Sequence, residues 1–158
     1  MTTNETTAED RLGSLGIQLP DAPTPFGAYV PAVQTGNLLF LSGMLATSGH
    51  AATVVGVVGK NLDVDAGRQA ATTATLNALA LTRKQLGSLD RVSRVVRLGV
   101  YVAATPDFKE HPKVADAASE LLRDVFGDQT VSSRLVFGVA SLPLGSPVEL
   151  EVILEVKS

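Results

Sequence analysis

Residues 134–156 read RLVFGVASLPLGSPVELEVILEV, and this stretch near the end of the chain decides the fold. Apolar and mostly acidic side chains alternate from Val148 to Val156, which predicts a strand with one apolar side and one acidic side. Because acidic side chains cannot line a hydrophobic core, the apolar side of this strand must face the helices.

The predicted strand before it, Ser133 to Leu142, is apolar on both sides after its first residue, apart from Arg134 and Ser141. This composition predicts a strand that helices cover on one face and another subunit covers on the other. Pro143 to Pro147 is rich in turn-forming residues, which favours a hairpin between the two terminal strands.

Arg134 is the one cation in this apolar run, and it must find an anion. Burying an ion without a partner costs several kcal/mol even after the protein relaxes. The guanidinium is therefore either paired with a glutamate inside the fold or left open for an acidic ligand. The planar fork of donors matches a carboxylate bidentately, which suits a small organic acid in a partly dry cleft.

Two helices are predicted upstream. Asp63 is a candidate N-cap for a helix that runs to about Leu86 and stops at Gly87 in a left-handed conformation. A second helix begins near His111-Pro112 and ends at Phe126, with apolar residues on one face. Both helices are amphipathic or rich in small residues, so we expect them to lie on a sheet.

The remaining patterns predict strands. Tyr29 to Val33 and Leu38 to Leu41 flank a turn-forming set and predict a β-hairpin. Val92 to Ala103 is β-branched and predicts a central strand, whereas Gly49 to Gly59 is ambiguous between a loop and a short strand. The order is β-β-α-β-α-β-β, an α+β domain with a mixed sheet and two helices on one face. The other face needs cover, so we infer an oligomer built through the sheet.

The N-terminal part, residues 1–20, is predicted to be a polar extension preceding a single domain over residues 21–158. Residues 1–10 are expected to be mobile, while Thr7 to Leu15 can form a short helix before a cluster of prolines.

Composition excludes several classes of protein. The net charge of −3 and the absence of a basic cluster argue against a nucleic-acid partner. The chain has no cysteine, so disulfides and thiolate chemistry are excluded. No signal peptide is visible at the start, and no apolar run reaches the about 18 residues of a membrane span. We therefore expect a cytoplasmic protein with no membrane association.

Other chemistries have weak support. Ser42 lacks the surroundings of a serine nucleophile, and the two histidines, His50 and His111, have no metal-ligand spacing. No metal site is predicted. Gly56 to Gly59 lacks the Gly-Lys-Ser/Thr context of a phosphate-binding loop.

Four segments together carry a resemblance to a known family. They are Pro25-Phe26-Gly27-Ala28-Tyr29, Leu38-Leu39-Phe40-Leu41-Ser42-Gly43, Arg134 followed by Leu142-Pro143, and Val148-Glu149-Leu150-Glu151. In this order they resemble the RidA (YjgF, or L-PSP endoribonuclease-like) family over most of residues 25–156. The spacing around Asp107-Phe108 is similar to a YjgF-like subgroup of longer, mostly uncharacterised members.

The resemblance implies a chorismate-mutase-like fold and a homotrimer with clefts between subunits. Its best-studied members hydrolyse 2-aminoacrylate and related 2-imino acids to 2-oxo acids and ammonia, without a cofactor. On this basis Arg134 clamps the substrate carboxylate and Glu149 handles water. Tyr29 and the Ser42-Gly43 pair correspond to residues that line the same pocket.

The chain departs from the family pattern at four pocket positions. Met44, Pro112, Leu135 and Val136 stand where many members have glutamine, asparagine, serine and cysteine. The pocket is less polar, so carboxylate binding is better supported than imine hydrolysis. Two further hypotheses stay open: a non-catalytic trimer that binds a small carboxylate metabolite and modulates a partner enzyme, and a ribonuclease, which the acidic pI of about 5.3 disfavours.

Overall fold

The computed structural model describes residues 5–158 and, within them, three helices and eight strands. The helices are α1 (Ala8–Ser14), α2 (Val64–Leu86) and α3 (His111–Phe126). The strands are β1 (Ala32–Thr35), β2 (Leu38–Leu41), β3 (Met44–Leu45), β4 (Thr47–Ser48), β5 (Ala51–Ala52), β6 (Val92–Ala103), β7 (Ser133–Val139) and β8 (Val148–Val156). The predicted α+β class with a mixed sheet is confirmed.

The main sheet has the order β1-β2-β8-β6-β7, with β3 pairing to β8 at its start. All pairs are antiparallel except β6 with β7, which is parallel. The apolar side chains of β8, such as Leu150 and Leu154, are buried, and its glutamates lie on the other side. The predicted orientation of β8 is therefore confirmed, and β6 is central as expected.

The predicted hairpin between the last two strands is wrong. β6 separates them, because Val100 lies opposite Val136 of β7 on one side and Leu150 of β8 on the other. The α3 crossover brings β7 back parallel to β6, while the turn after β7 carries the chain across to the far side of β6. As a consequence β7 is an edge strand that ends at Val139, and most of its residues are exposed in the single chain.

The two long helices cover one face of the sheet, with the bounds that the sequence predicts. The Asp63 carboxylate accepts a hydrogen bond from the Ala66 N–H at 2.8 Å, and Gly87 ends α2 with φ +84°. Gly67 allows α2 to approach α3, since a Cβ there would lie 3.0 Å from Val114 Cγ2. The other face of the sheet carries Phe40, Leu135 and Phe137, which are exposed in the single chain.

Helix α1 confirms the short helix predicted near the N-terminus. Its Leu12 is 2% exposed and belongs to the core. The Glu9 carboxylate accepts hydrogen bonds from the Arg83 guanidinium and from the Leu89 N–H. The expected mobility of residues 1–10 falls partly on residues 1–4, which lie outside the described residues.

The first hairpin is confirmed by β1 and β2, although β1 begins at Ala32 rather than at Tyr29. Pro31 lacks an N–H for strand pairing, and the chain before it bends. In the ambiguous glycine-rich region, β4 and β5 form a two-stranded ribbon, and a loop follows that meets Ala104 through Val58.

Candidate functional site

One cleft in the structure gathers four of the five side chains and backbone positions that the sequence singles out. Tyr29, Ser42, Gly43 and Glu149 line a cavity of about 410 Å³. The other lining residues are Phe26, Leu45, Pro143 and Leu144. A larger groove of about 530 Å³ lies between residues 18–24 and α2, and none of the predicted site residues lines it.

Sheet register places Glu149 in this cleft. It stands at the start of β8, opposite Leu45 of β3 on one side and Tyr101 of β6 on the other. Its side chain points away from the helices, on the acidic side of the strand. Within residues 5–158 the Glu149 carboxylate has neither a hydrogen-bond partner nor an ion-pair partner, so it faces the cleft uncompensated.

Gly43 makes room for this carboxylate. A Cβ at Gly43 would lie 2.2 Å from Glu149 Oε1 and 3.1 Å from its Cδ, and the first of these distances is one that real Cβ atoms do not tolerate. Any other residue at position 43 would push the carboxylate aside. The glycine therefore lets the acid lie directly against the backbone of the chain that enters β3.

Burial raises the pKa of the Glu149 carboxyl above its ordinary value, because the partly dry cleft disfavours the charged form. A carboxylate with a raised pKa is a stronger base than an exposed one. Such a group can accept a proton from water and return it within one reaction cycle.

Ser42 and Tyr29 have more limited roles in the cleft. The Ser42 hydroxyl donates its proton to the Val30 carbonyl at 2.7 Å, so no base is set to remove it. The Tyr29 hydroxyl accepts a hydrogen bond from the Phe26 N–H at 3.0 Å and keeps its own proton for a ligand. Ser42 thus shapes the entry to β3, and Tyr29 can bind an acceptor.

The histidines do not complete a catalytic pair with Ser42. The His50 Nε2 atom shares a hydrogen bond of 2.7 Å with the Thr24 hydroxyl, and the His111 ring packs edge-on against Phe108 at 4.9 Å. In the described part of the chain no three His, Asp or Glu residues could hold a metal ion. No helix among residues 5–158 has the length and hydropathy needed to cross a bilayer.

Arg134 is the predicted site residue that one chain does not bring to the cleft. It lies opposite Leu98, whose other partner is Val152, so it is two strands from β8 and displaced along the sheet from Glu149. Its side chain lies on the helix-covered face and pairs with α3. The Nη1 atom donates to Asp116 Oδ1 at 2.7 Å and to Ser119 Oγ at 3.1 Å.

This pairing leaves part of the guanidinium unused. Both hydrogen bonds come from Nη1, and within residues 5–158 neither Nε nor Nη2 has a partner. The Arg134 side chain is 27% exposed, so the contact is not sealed. Of the two alternatives for Arg134, the internal partner exists but is an aspartate of α3, and the Nε–Nη2 edge of the fork has no partner within residues 5–158.

Sequence reasoning missed four residues that line the cleft. Phe26 and Pro143 belong to the motifs that carry the family resemblance, but the sequence analysis did not assign them to the pocket. Leu45 and Leu144 carried no signal of their own. Leu144 lies in a Pro-Leu-Gly turn, and the turn itself was recognisable, whereas the direction of its side chain was not.

Comparisons with known proteins show the family and the fold of the chain. A sequence model of the family described as "YjgF/chorismate mutase-like, putative endoribonuclease" matches residues 9–156. The chain is 38% identical over 148 residues to Protein TCP17 of Trypanosoma cruzi, and the matched region covers 93% of this chain and 92% of that protein. It is 29% identical over 142 residues to a 2-iminobutanoate/2-iminopropanoate deaminase of Dermatophagoides farinae, over 89% of this chain and 95% of that protein. A solved structure from Shewanella oneidensis, described as a "putative endoribonuclease", superimposes with a TM-score of 0.90 at 31% identity, over 95% of this chain and 99% of that chain.

Proposed function

The chain belongs to the YjgF/chorismate mutase-like family, and from that premise we propose that it hydrolyses small 2-imino acids to 2-oxo acids and ammonia. The observation that carries the proposal is the uncompensated Glu149 carboxylate, which lies against Gly43 in a cleft and has a raised pKa. The relative from Dermatophagoides farinae, which is named as an imino acid deaminase, supports the same reaction class.

Glu149 acts on water in this scheme. It accepts a proton as the water oxygen attacks the imine carbon, which becomes tetrahedral. The carboxylic acid then returns this proton to the nitrogen, which gives a neutral carbinolamine. The carboxylate next takes the proton of the new hydroxyl group and passes it to the nitrogen, so that the carbon–nitrogen bond breaks and ammonia leaves as the carbonyl forms. The Tyr29 hydroxyl is free to donate a hydrogen bond to the substrate.

Arg134 supplies the carboxylate clamp from a neighbouring protomer. Three features support this arrangement: Arg134 lies on the edge strand β7, Leu135 and Phe137 of that strand are 39% and 48% exposed, and the Nε–Nη2 edge of the guanidinium is unpaired within residues 5–158. An uncovered edge strand with exposed apolar side chains favours association with another chain. A homotrimer that places β7 of one protomer beside the Glu149 cleft of the next would complete the site.

The test is an assay that generates 2-imino acids in situ and follows accelerated release of 2-oxo acid. Arg134→Ala should lower turnover at least about a hundredfold, because it removes the charged anchor. Asp116→Ala is the matched control, since it breaks the same ion pair but keeps the guanidinium. Equal losses in both variants would mean that Arg134 has only a structural role, and an inactive wild type would eliminate the reaction.

A second function, non-catalytic binding of a carboxylate metabolite, is favoured by one specific feature. By the resemblance, Met44, Pro112 and Val136 replace polar residues of the family pattern, while the Nε–Nη2 edge of Arg134 has no partner within residues 5–158. In that case a 2-oxo acid should raise the melting temperature with increasing concentration although no turnover occurs. Ribonuclease activity is disfavoured by the net charge of −3, and cleavage that persists in Arg134→Ala would point to contamination.

A further inference from the structure

Leu144 has an unusual backbone conformation at the rim of the cleft. Its φ is +60°, and among residues 5–158 it is the one non-glycine residue with positive φ. Side chains of L residues are strained in this left-handed region, and such strain persists only where the surroundings enforce it. Glycine would satisfy this backbone without strain, so any advantage of leucine over glycine at this position lies in its side chain.

Hydrogen bonds fix the turn that holds Leu144. The Gly145 N–H donates to the Leu142 carbonyl at 3.2 Å, and the Ser146 N–H donates to the Pro143 carbonyl at 3.1 Å. The Gly145 carbonyl accepts from the Gly56 N–H at 3.0 Å, which ties the turn to the glycine-rich loop. The conformation is therefore built into the fold and is not a loose loop.

The side chain that this turn presents does not serve the core. Leu144 is 46% exposed, and it lies in the wall of the same cavity as Glu149. The wall around it is formed by Phe26, Leu45 and Pro143, all apolar. Among the cleft-lining residues of the described chain, Glu149 is the one charged group.

This distribution orients an acid in the cleft. Glu149 repels the substrate carboxylate, and the apolar wall around Leu144 offers it no cation. The carboxylate must therefore point out of the cleft, towards a cation outside it. The substituent on the reacting carbon then lies against Leu144 and Phe26. A methyl group would leave most of the about 410 Å³ to water, whereas a longer alkyl group would cover the wall.

We infer that Leu144 determines substrate specificity, and that the cleft selects 2-imino and 2-oxo acids whose aliphatic side chains are longer than methyl. The inference rests on the proposed function, because it assigns the substituent pocket of that same site. Leu144 selects by apolar contact and takes no part in proton transfer.

The experiment compares wild type with Leu144→Gly on two readouts. The first is kcat/KM for the imino acids formed from leucine and from alanine. The second is thermal stabilisation by 4-methyl-2-oxopentanoate and by pyruvate, which needs no turnover. Leu144→Gly should fold at least as well as wild type, since it removes the strain at φ +60°. Leu15→Gly is the matched control, because Leu15 is also 46% exposed and lies outside the cleft.

We expect wild type to prefer the longer acid in both readouts, and Leu144→Gly to reduce that preference about tenfold while Leu15→Gly preserves it. A preference in binding that Leu144→Gly removes would support the inference even if no turnover occurs, in which case only the proposed reaction fails. Turnover without side-chain preference, or with a preference unchanged in Leu144→Gly, would overturn the inference and leave the reaction standing. If neither acid binds nor reacts, both are wrong.

Discussion

The contact between Gly43 and Glu149 gives the sharpest prediction. In Gly43→Ala the new Cβ would lie 2.2 Å from Glu149 Oε1, whereas carbon–oxygen contacts usually start at about 3.3 Å. The oxygen must therefore retreat by about 1 Å. A misplacement of about 1 Å in a reacting group can cost about a hundredfold in rate, so we expect kcat/KM to fall by about two orders of magnitude.

Stability should hardly change in the same variant. The clashing atoms belong to the end of a flexible, half-buried side chain, and Gly43 does not have a positive φ that alanine would resist. The cost of an altered Glu149 rotamer is about 1 kcal/mol, and a similar gain comes from stiffening the unfolded chain. Thermal unfolding should therefore stay within a few degrees of wild type while the assay loses its signal.

Two comparisons separate this mechanism from general damage. Gly13→Ala is the control, because within the described structure a Cβ added at Gly13 would meet no heavy atom within 4 Å beyond its own helix backbone and chain neighbours, and this variant should retain full activity. If Gly43 acts through Glu149, the double variant Gly43→Ala/Glu149→Gln should be no less active than Glu149→Gln alone. The carboxyl pKa, followed by NMR, should also fall towards its ordinary value as the group moves towards solvent. A folded Gly43→Ala protein with wild-type kcat/KM would refute the reasoning.

Three further predictions concern pH and assembly. Burial raises the pKa of Glu149, so between the unfolded and the folded pKa the folded chain holds a proton that the unfolded chain has already lost. The free energy of unfolding therefore falls as the pH rises through this range. Glu149→Gln should raise the melting temperature at pH 7 but not below about pH 4. The Arg83 hydrogen bond lowers the pKa of Glu9, whose contribution to stability is present above the unfolded pKa and is lost as the pH falls through the folded one. Glu9→Gln should therefore cost about 1 kcal/mol in denaturant unfolding at pH 7, and nothing in strong acid. Phe137→Asp should reduce the mass found by light scattering towards the 16.4 kDa of one chain, and an unchanged oligomer would exclude this face from the interface.

Much of the fold could be predicted from patterns among residues that are close together in the sequence. Asp63 and Gly87 define α2 because a cap and a left-handed stop depend only on neighbouring backbone groups. The alternation of β8 gave both its extent and the side that faces the core. The hairpin between β7 and β8 failed because a turn-rich connection fits either a tight hairpin or a crossing of β6, and only the packing of α3 on the sheet distinguishes them.

The candidate site likewise combines residues that could be identified from the sequence with contacts that only the structure shows. Tyr29, Ser42, Gly43 and Glu149 were identified from their resemblance to family motifs, and the cleft brings them together. Nothing in the sequence indicates that Arg134 pairs with Asp116, which lies on another element. Such a partner depends on which helix face lies over which strand.

The sequence by itself determined the α+β class, the three helices, the orientation of β8 and the residues from which a site could be built. Only the tertiary structure decided that β7 lies at an edge, that Arg134 is separated from Glu149 within one chain, and that Leu144 turns its side chain into the cleft. The reason is physical: caps, turns and alternation depend on near neighbours, whereas strand order and side-chain contacts depend on how distant segments pack against each other.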